Sequence, residues 1–156
     1  LRAAQAAVAD REPNGGLVVL ADLGEEDNIH PVDKAPVGQR LALLALDTVY
    51  GLPVAGKAPR LTDAAVQGDT ALLHFAYAAG GLTLAGEPSG FELAGEDGVF
   101  RPAQAAAQGD TVRLRCEAVP HPASVRYAWY NFGPARLCGG TGLPAAPFGT
   151  TPLASV

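Results

Sequence analysis

Asp27 and His30 stand three residues apart in the stretch Glu25-Glu26-Asp27-Asn28-Ile29-His30-Pro31-Val32-Asp33-Lys34. A carboxylate and an imidazole at that spacing on one loop are able to meet. In a hydrolytic triad a histidine takes the proton of a serine hydroxyl, and an aspartate orients the ring and stabilises its charged form. Pro31 stiffens the chain directly after His30. Spacing alone leaves a second reading open, a polar loop with a solvated histidine. Asn28 rivals Asp27 for the acid's place. Asp22 reads equally as a strand end, and Asp33 as a helix cap. His74 falls inside a strand pattern, Leu72-Leu73-His74-Phe75, and His121 lies in a Pro120-His121-Pro122 turn. Neither has an acid three residues before it.

The elements around the loop read as α-β-loop-α. Residues 1–9 are Ala-rich and suit the end of a helix. Asn14-Gly15-Gly16 is a turn signal. Leu17 to Leu23 is a nearly continuous apolar run, the pattern of a strand buried on both faces. Pro36 to Tyr50 reads as an amphipathic helix with Val37, Leu41, Leu44, Ala45 and Val49 near one face. Asp33 is its expected N-cap, Pro36 is tolerated in its first turn, and Gly51 is its stop. One strand cannot make a sheet, so these residues are expected to dock on more chain than is present here.

Leu52 to Pro59 is linker-like. Short strands then follow one another at Arg60–Gln67, Thr70–Tyr77, Leu82–Leu84, Gly90–Ala94, Val99–Ala107, Thr111–Cys116 and Ser124–Tyr130. That spacing predicts a β-sandwich. Val66-Gln67-Gly68-Asp69-Thr70-Ala71-Leu72-Leu73 resembles Ala107-Gln108-Gly109-Asp110-Thr111-Val112-Arg113-Leu114, and both read as hairpins around a Gly-Asp turn. Two regions of different texture therefore meet near residue 56, giving expected units of 1–56 and 57–156.

Composition sets the outer limits. The chain has 156 residues, 48% of them hydrophobic, with 19 glycines and 13 prolines. It can build a core, and it is rich in turns. A net charge of -5 with scattered arginines gives no footprint for nucleic acid. No apolar stretch approaches the ~18 residues of a membrane span. The chain contains no Met and opens on Leu1-Arg2-Ala3-Ala4, which reads as the middle of a longer polypeptide. Cys116 and Cys138 could close one disulfide in an oxidising compartment, or Cys116 could be a buried strand residue. No CxxC or HxxxH pair points to zinc.

Longer blocks say more than the Asp-His spacing. Asn28-Ile29-His30-Pro31-Val32-Asp33-Lys34, followed by Pro36-Val37-Gly38-Gln39-Arg40-Leu41-Ala42, resembles the C-terminal catalytic block of the sialate O-acetylesterase family. These are SGNH-type hydrolases that remove acetyl esters from sugars. The resemblance continues through Gly90-Phe91-Glu92-Leu93-Ala94-Gly95, Val125-Arg126-Tyr127-Ala128-Trp129 and Gly142-Leu143-Pro144-Ala145-Ala146-Pro147-Phe148. It implies an α/β plus all-β chain: the C-terminal strand–helix portion of a flavodoxin-like SGNH α/β domain, followed by a β-sandwich. It implies His30 as general base and Asp27 as its orienting acid. Relatives read Asp-Ile-His-Pro where this chain has Asn28. The resemblance also implies that the nucleophile and oxyanion donors lie upstream, in a missing N-terminal part of the same protein. Ser89, Ser124 and Ser155 are the only serines, and Ser89 sits in a turn without the context of a nucleophile elbow. The implied substrate is an acetylated carbohydrate, with no metal, organic cofactor, nucleic acid or membrane involved. That substrate class implies a secreted or periplasmic setting.

A second reading is a non-catalytic carbohydrate-binding or scaffold module. Tyr127, Trp129, Tyr130 and Phe132 form an aromatic cluster suited to sugar stacking. Strict alternation would instead place Tyr127 and Trp129 together in the core.

Overall fold

The computed structural model describes residues 1–150 and 152–155. The chain is mostly β-sheet, with two helices at its start: α1 (Arg2–Arg11) and α2 (Ala35–Thr48). The strands are β1 (Arg60–Gln67), β2 (Thr70–Ala76), β3 (Leu82–Leu84), β4 (Phe91–Ala94), β5 (Arg101–Pro102), β6 (Gln104–Gln108), β7 (Thr111–Arg115), β8 (Ser124–Tyr127), β9 (Leu137–Gly139), β10 (Phe148–Thr150) and β11 (Ala154–Ser155). One sheet runs β11-β1-β2-β7-β6, a second runs β10-β8-β4-β5, and β3 pairs with β9 apart from both.

The two larger sheets turn their apolar faces to one core. Ala71, Leu73, Phe75, Val112 and Leu114 come from the five-stranded sheet, and Phe91, Leu93, Val125 and Tyr127 from the four-stranded one. Alternation along β7 is clean, with Val112 and Leu114 inside and Arg113 and Arg115 outside. The rings of Phe91, Tyr127 and Phe148 meet at centroid distances of 4.5 and 5.6 Å, both tilted. Tyr127 is fully buried, and its hydroxyl accepts the N–H of Leu137 at 2.8 Å. Burial holds its phenol well above the ordinary value of 10.0.

The two Gly-Asp repeats are hairpins of the same sheet. One joins β1 to β2 through Gly68, the other β6 to β7 through Gly109, and both glycines have positive φ. β2 and β7 then pair antiparallel at the centre.

Several expected strands change at their ends. The run 99–107 is two strands, because the chain changes sheets there. β5 pairs with β4, β6 pairs with β7, and the N–H of Ala103 between them bonds to the Phe91 carbonyl at 3.0 Å. The strand expected over Ser124–Tyr130 stops at Tyr127, where Ala128 takes φ 47°. That turn breaks the alternation, so Tyr127 is core while Trp129 is 48% exposed. Tyr77, at φ 59°, ends β2 in the same way. Cys116 lies just past β7 rather than in it, half-buried against the core, and both cysteines are free thiols.

The largest departure is at 17–23. These residues form no strand; they run without regular structure and close in a turn, the Leu23 N–H bonding to the Leu20 carbonyl at 3.0 Å. A strand exists only through its ladder, and among the described residues none pairs here. Neither helix has a buried residue. Leu41 and Val49, on the expected inner face of α2, are 53% and 75% exposed. α2 does end as expected, with Gly51 at φ 62° and the Leu52 N–H bonding back to the Leu46 carbonyl.

The Tyr127→Phe variant keeps the ring and strands the buried Leu137 N–H. It should cost about 2 kcal/mol and lower Tm by about 6 °C, read by thermal unfolding.

Candidate functional site

The loop that carries Asp27 and His30 runs from Asp22 to the start of α2. Both of its ends are held by Arg40, a residue of α2. Arg40 Nη1 donates to the Val19 carbonyl at 2.6 Å and to Asp22 Oδ1 at 2.7 Å, while Nη2 donates to Asp22 Oδ2 at 2.6 Å. This two-pronged pair is largely shielded, with the Arg40 side chain 12% exposed. It ties the end of the 17–23 segment to the helix, so the loop must close between them. Asp22 is therefore an anchor and not a free acid.

On the other side, Gly56 lets the linker reach α2. Its N–H bonds to Asp47 Oδ2 at 3.0 Å, and a Cβ there would meet the Leu43 carbonyl oxygen at 2.3 Å. α1 is tied to the β-rich part by Arg2, which donates to the Tyr130 carbonyl, and by an Asp10–Arg60 ion pair with one bond at 2.6 Å.

Inside the loop, Glu25 and Asn28 do the organising. Asn28 Nδ2 donates to Glu25 Oε2 at 2.8 Å, and Asn28 Oδ1 accepts the His30 N–H at 2.9 Å. Glu25 Oε1 accepts the Val32 N–H at 2.9 Å. Asp33 Oδ1 accepts the Ala35 N–H at 3.1 Å, one residue off the expected cap, since Lys34 holds the N-cap position. The Val32 N–H, the Asn28 amide and the charge of Lys34 together hold the Glu25 carboxyl below its ordinary value of 4.5. Asn28 thus serves the loop backbone. The spacing rule overlooked Glu25; the signal was an acid followed three residues on by an amide, the residue types of a side-chain-closed turn.

Asp27 and His30 project from this frame into solvent, and both are exposed. Among the described residues neither side chain makes a hydrogen bond or ion pair, to the other or elsewhere. The cavities described in the structure lie away from them. The widest, about 570 Å³, is bounded by α1, α2 and the linker, with Asp10, Asp47, Lys57 and Tyr77 on its walls.

The remaining candidates are placed plainly. His74 is exposed on the outer face of β2, with Nδ1 3.2 Å from Thr111 Oγ1. His121 is exposed in its turn. Ser89 is buried, its hydroxyl spanning the Ala103 carbonyl and the Phe91 N–H. Ser124 is buried in β8, and the side chain of Ser155 lies outside the described residues. Among the described residues no group of three or more His, Cys, Asp or Glu could hold a metal ion, and no helix is long and apolar enough to cross a membrane.

Fold and loop together define a β-rich unit that carries two helices and an exposed acid–histidine loop braced by Arg40. Its likeness among solved structures is to a carbohydrate esterase. The crystal structure of a novel carbohydrate acetylesterase from Xanthomonas citri matches with a TM-score of 0.80 and 39% identity, over 85% of this chain and 32% of that one. The chain spans about a third of that enzyme's length. No protein-family model and no curated protein matches the chain.

The Glu25 carboxyl is depressed, so its contribution to the loop is complete above pH 4.5 and is lost as pH falls through the lower folded value. Protection of the Val32 amide against exchange, taken relative to its intrinsic rate at each pH, should therefore fall on acidification below 4.5, measured by NMR. Glu25→Gln should show the lowered protection already at neutral pH.

Proposed function

We propose that this chain is the C-terminal portion of a carbohydrate O-acetylesterase of the SGNH type, acting on acetyl esters of sugars. The observation that carries the proposal is the 39% identity, with fold agreement, to a carbohydrate acetylesterase over most of the chain. The 17–23 segment is then the last strand of an α/β sheet whose other strands belong to the preceding part of the protein. Two features support this. The segment has the composition of a doubly buried strand yet lacks a ladder. The exposed Leu1, Val8, Leu20, Leu41, Val49 and Leu52 also crowd the helices beside it. The β-rich part from residue 57 is a sandwich that serves as scaffold for that layer.

In the intact enzyme a serine from the preceding part attacks the acetyl carbonyl. His30 accepts the serine proton and Asp27 orients the imidazole and stabilises its charged form. The sugar alcohol leaves with the proton held by His30. Water then attacks the acyl-serine, giving a proton to His30, which passes it to the departing serine oxygen as acetate is released. The Arg40–Asp22 bond supports the assignment because it presents the loop at the end of the proposed strand, where open α/β sheets place function. The sialate family is one source of the substrate; other acetylated sugars are equally served by this chemistry.

The isolated 156-residue chain should release no acetate or p-nitrophenolate above background. A robust, His30-dependent burst from it would overturn the missing-nucleophile reading. In the enzyme completed by its preceding part, His30→Ala should lower kcat by about 10⁴-fold, measured with p-nitrophenyl acetate. Unchanged kcat in that variant would remove His30 from the mechanism.

A further inference from the structure

The outer face of the four-stranded sheet carries a row of side chains that the esterase chemistry does not use. Pairing register aligns Pro102, Glu92, Arg126 and Gly149 across β5, β4, β8 and β10. Their neighbours Phe91, Leu93, Val125 and Tyr127 point into the core, so this row points out. Arg126 and Glu92 form a two-pronged ion pair, Nε to Oε2 at 2.7 Å and Nη2 to Oε1 at 2.9 Å. The Arg126 guanidinium carbon lies 4.2 Å from the Phe100 ring centroid. At the other end, a Cβ placed on Gly149 would sit 3.9 Å from Cε3 and Cζ3 of Trp129 and 3.8 Å from Cβ of Arg126. The indole therefore lies along the bare strip that Gly149 leaves. Trp129 is still 48% exposed.

This posture is imposed by the backbone. Ala128 is buried with φ 47°, a costly conformation for a residue with a Cβ, and its N–H is fixed to the Gly90 carbonyl at 2.9 Å. Had β8 continued regularly, Trp129 would have followed Tyr127 inward. The fold instead turns a large apolar ring outward and braces it against the sheet.

We propose that this face, with Trp129 as platform and the Arg126–Glu92 pair beside it, binds a neutral pyranose unit of an oligosaccharide. The C–H face of such a ring stacks on an indole, and its hydroxyls match a rigid donor–acceptor pair. Nη1 of Arg126 makes no hydrogen bond among the described residues, and with the Arg126 side chain 30% exposed against 12% for Glu92, the open hydrogen-bonding group of the pair is this donor. Arg126 and Glu92 cancel each other's charge, so the face offers hydrogen bonds without attracting an anion. It therefore suits an uncharged sugar and not a sialate. The choice of sugars as ligands rests on the esterase reading; the platform itself does not.

Trp129 is the single tryptophan, so its emission reports this site alone. Titrating the 156-residue chain with xylohexaose or cellohexaose should shift that emission and protect it from acrylamide quenching, with saturation. N-acetylneuraminic acid should do neither. By NMR titration, Trp129→Ala should weaken binding about tenfold or more, Arg126→Gln should weaken it, and Trp129→Phe should retain part of it. The Phe variant keeps the test open should the Ala variant fail to fold. Three results would overturn the proposal: no response to either hexasaccharide, an equal or stronger response to the acidic sugar, or a shift that follows protein concentration alone. Acetate release is not read, so a failed titration leaves the esterase assignment standing, and a failed esterase assay leaves the platform standing.

Discussion

The phenol of Tyr127 is held between the two large sheets, with no exposure to water and its hydroxyl on the Leu137 N–H. Much of the surrounding chain is set by that placement. The ring fixes how far β8 reaches into the core. Its hydroxyl gives a backbone donor at the start of β9 a partner far from any ladder of the four-stranded sheet. Gly90 must then pass close to Pro134, where a Cβ would meet the carbonyl oxygen at 2.4 Å, so that its own carbonyl can take the Ala128 N–H. The left-handed turn at Ala128 follows from that bond. An apolar ring with one polar atom thus dictates where a strand ends and what the next residue shows to solvent.

The first 56 residues depend on a different kind of contact. They bury little, and polar contacts hold them: Arg40 on Asp22 and Val19, Asp47 on Gly56, Asp10 on Arg60. The last of these is exposed and contributes about 0–1 kcal/mol. The Arg40 bonds are shielded and worth more each. They set geometry, because a guanidinium fork accepts one arrangement of carboxylate and carbonyl. The acid–histidine loop inherits its position from them.

The β-rich part was legible where periodicity and turn chemistry agree. β1 and β3 match the expected residues, and both Gly-Asp turns were visible in the repeat. What escaped was everything decided by a distant partner. The break at Ala103 depends on which sheet offers the next free edge. The turn at Ala128 that ends β8 depends on Gly90, 38 residues earlier in the chain. β9, β10 and β11 are short and lack an alternating pattern long enough to read. In the loop, the Asp-His spacing drew attention while Glu25 and Asn28 hold the frame, because hydrogen bonds from side chain to backbone leave only a faint mark in sequence. The 17–23 run shows the converse: its composition speaks of a strand, and the ladder that would make it one is absent among the described residues.

That last point bears directly on the chemistry. A histidine works best as a base for serine where water is kept from the pair and where the acid beside it has a fixed distance. His30 and Asp27, exposed and unbonded among the described residues, have neither. The same 56 residues also expose a set of large apolar side chains. On the esterase reading these are one deficit. The layer that would cover Leu41 and Val49 and pair with residues 17–23 would also wall in the loop. It would lower the dielectric around the imidazole and bring the serine to it. Folding of the α/β layer and assembly of the catalytic device are then a single event, since the surface that completes the sheet is the surface that dries the site.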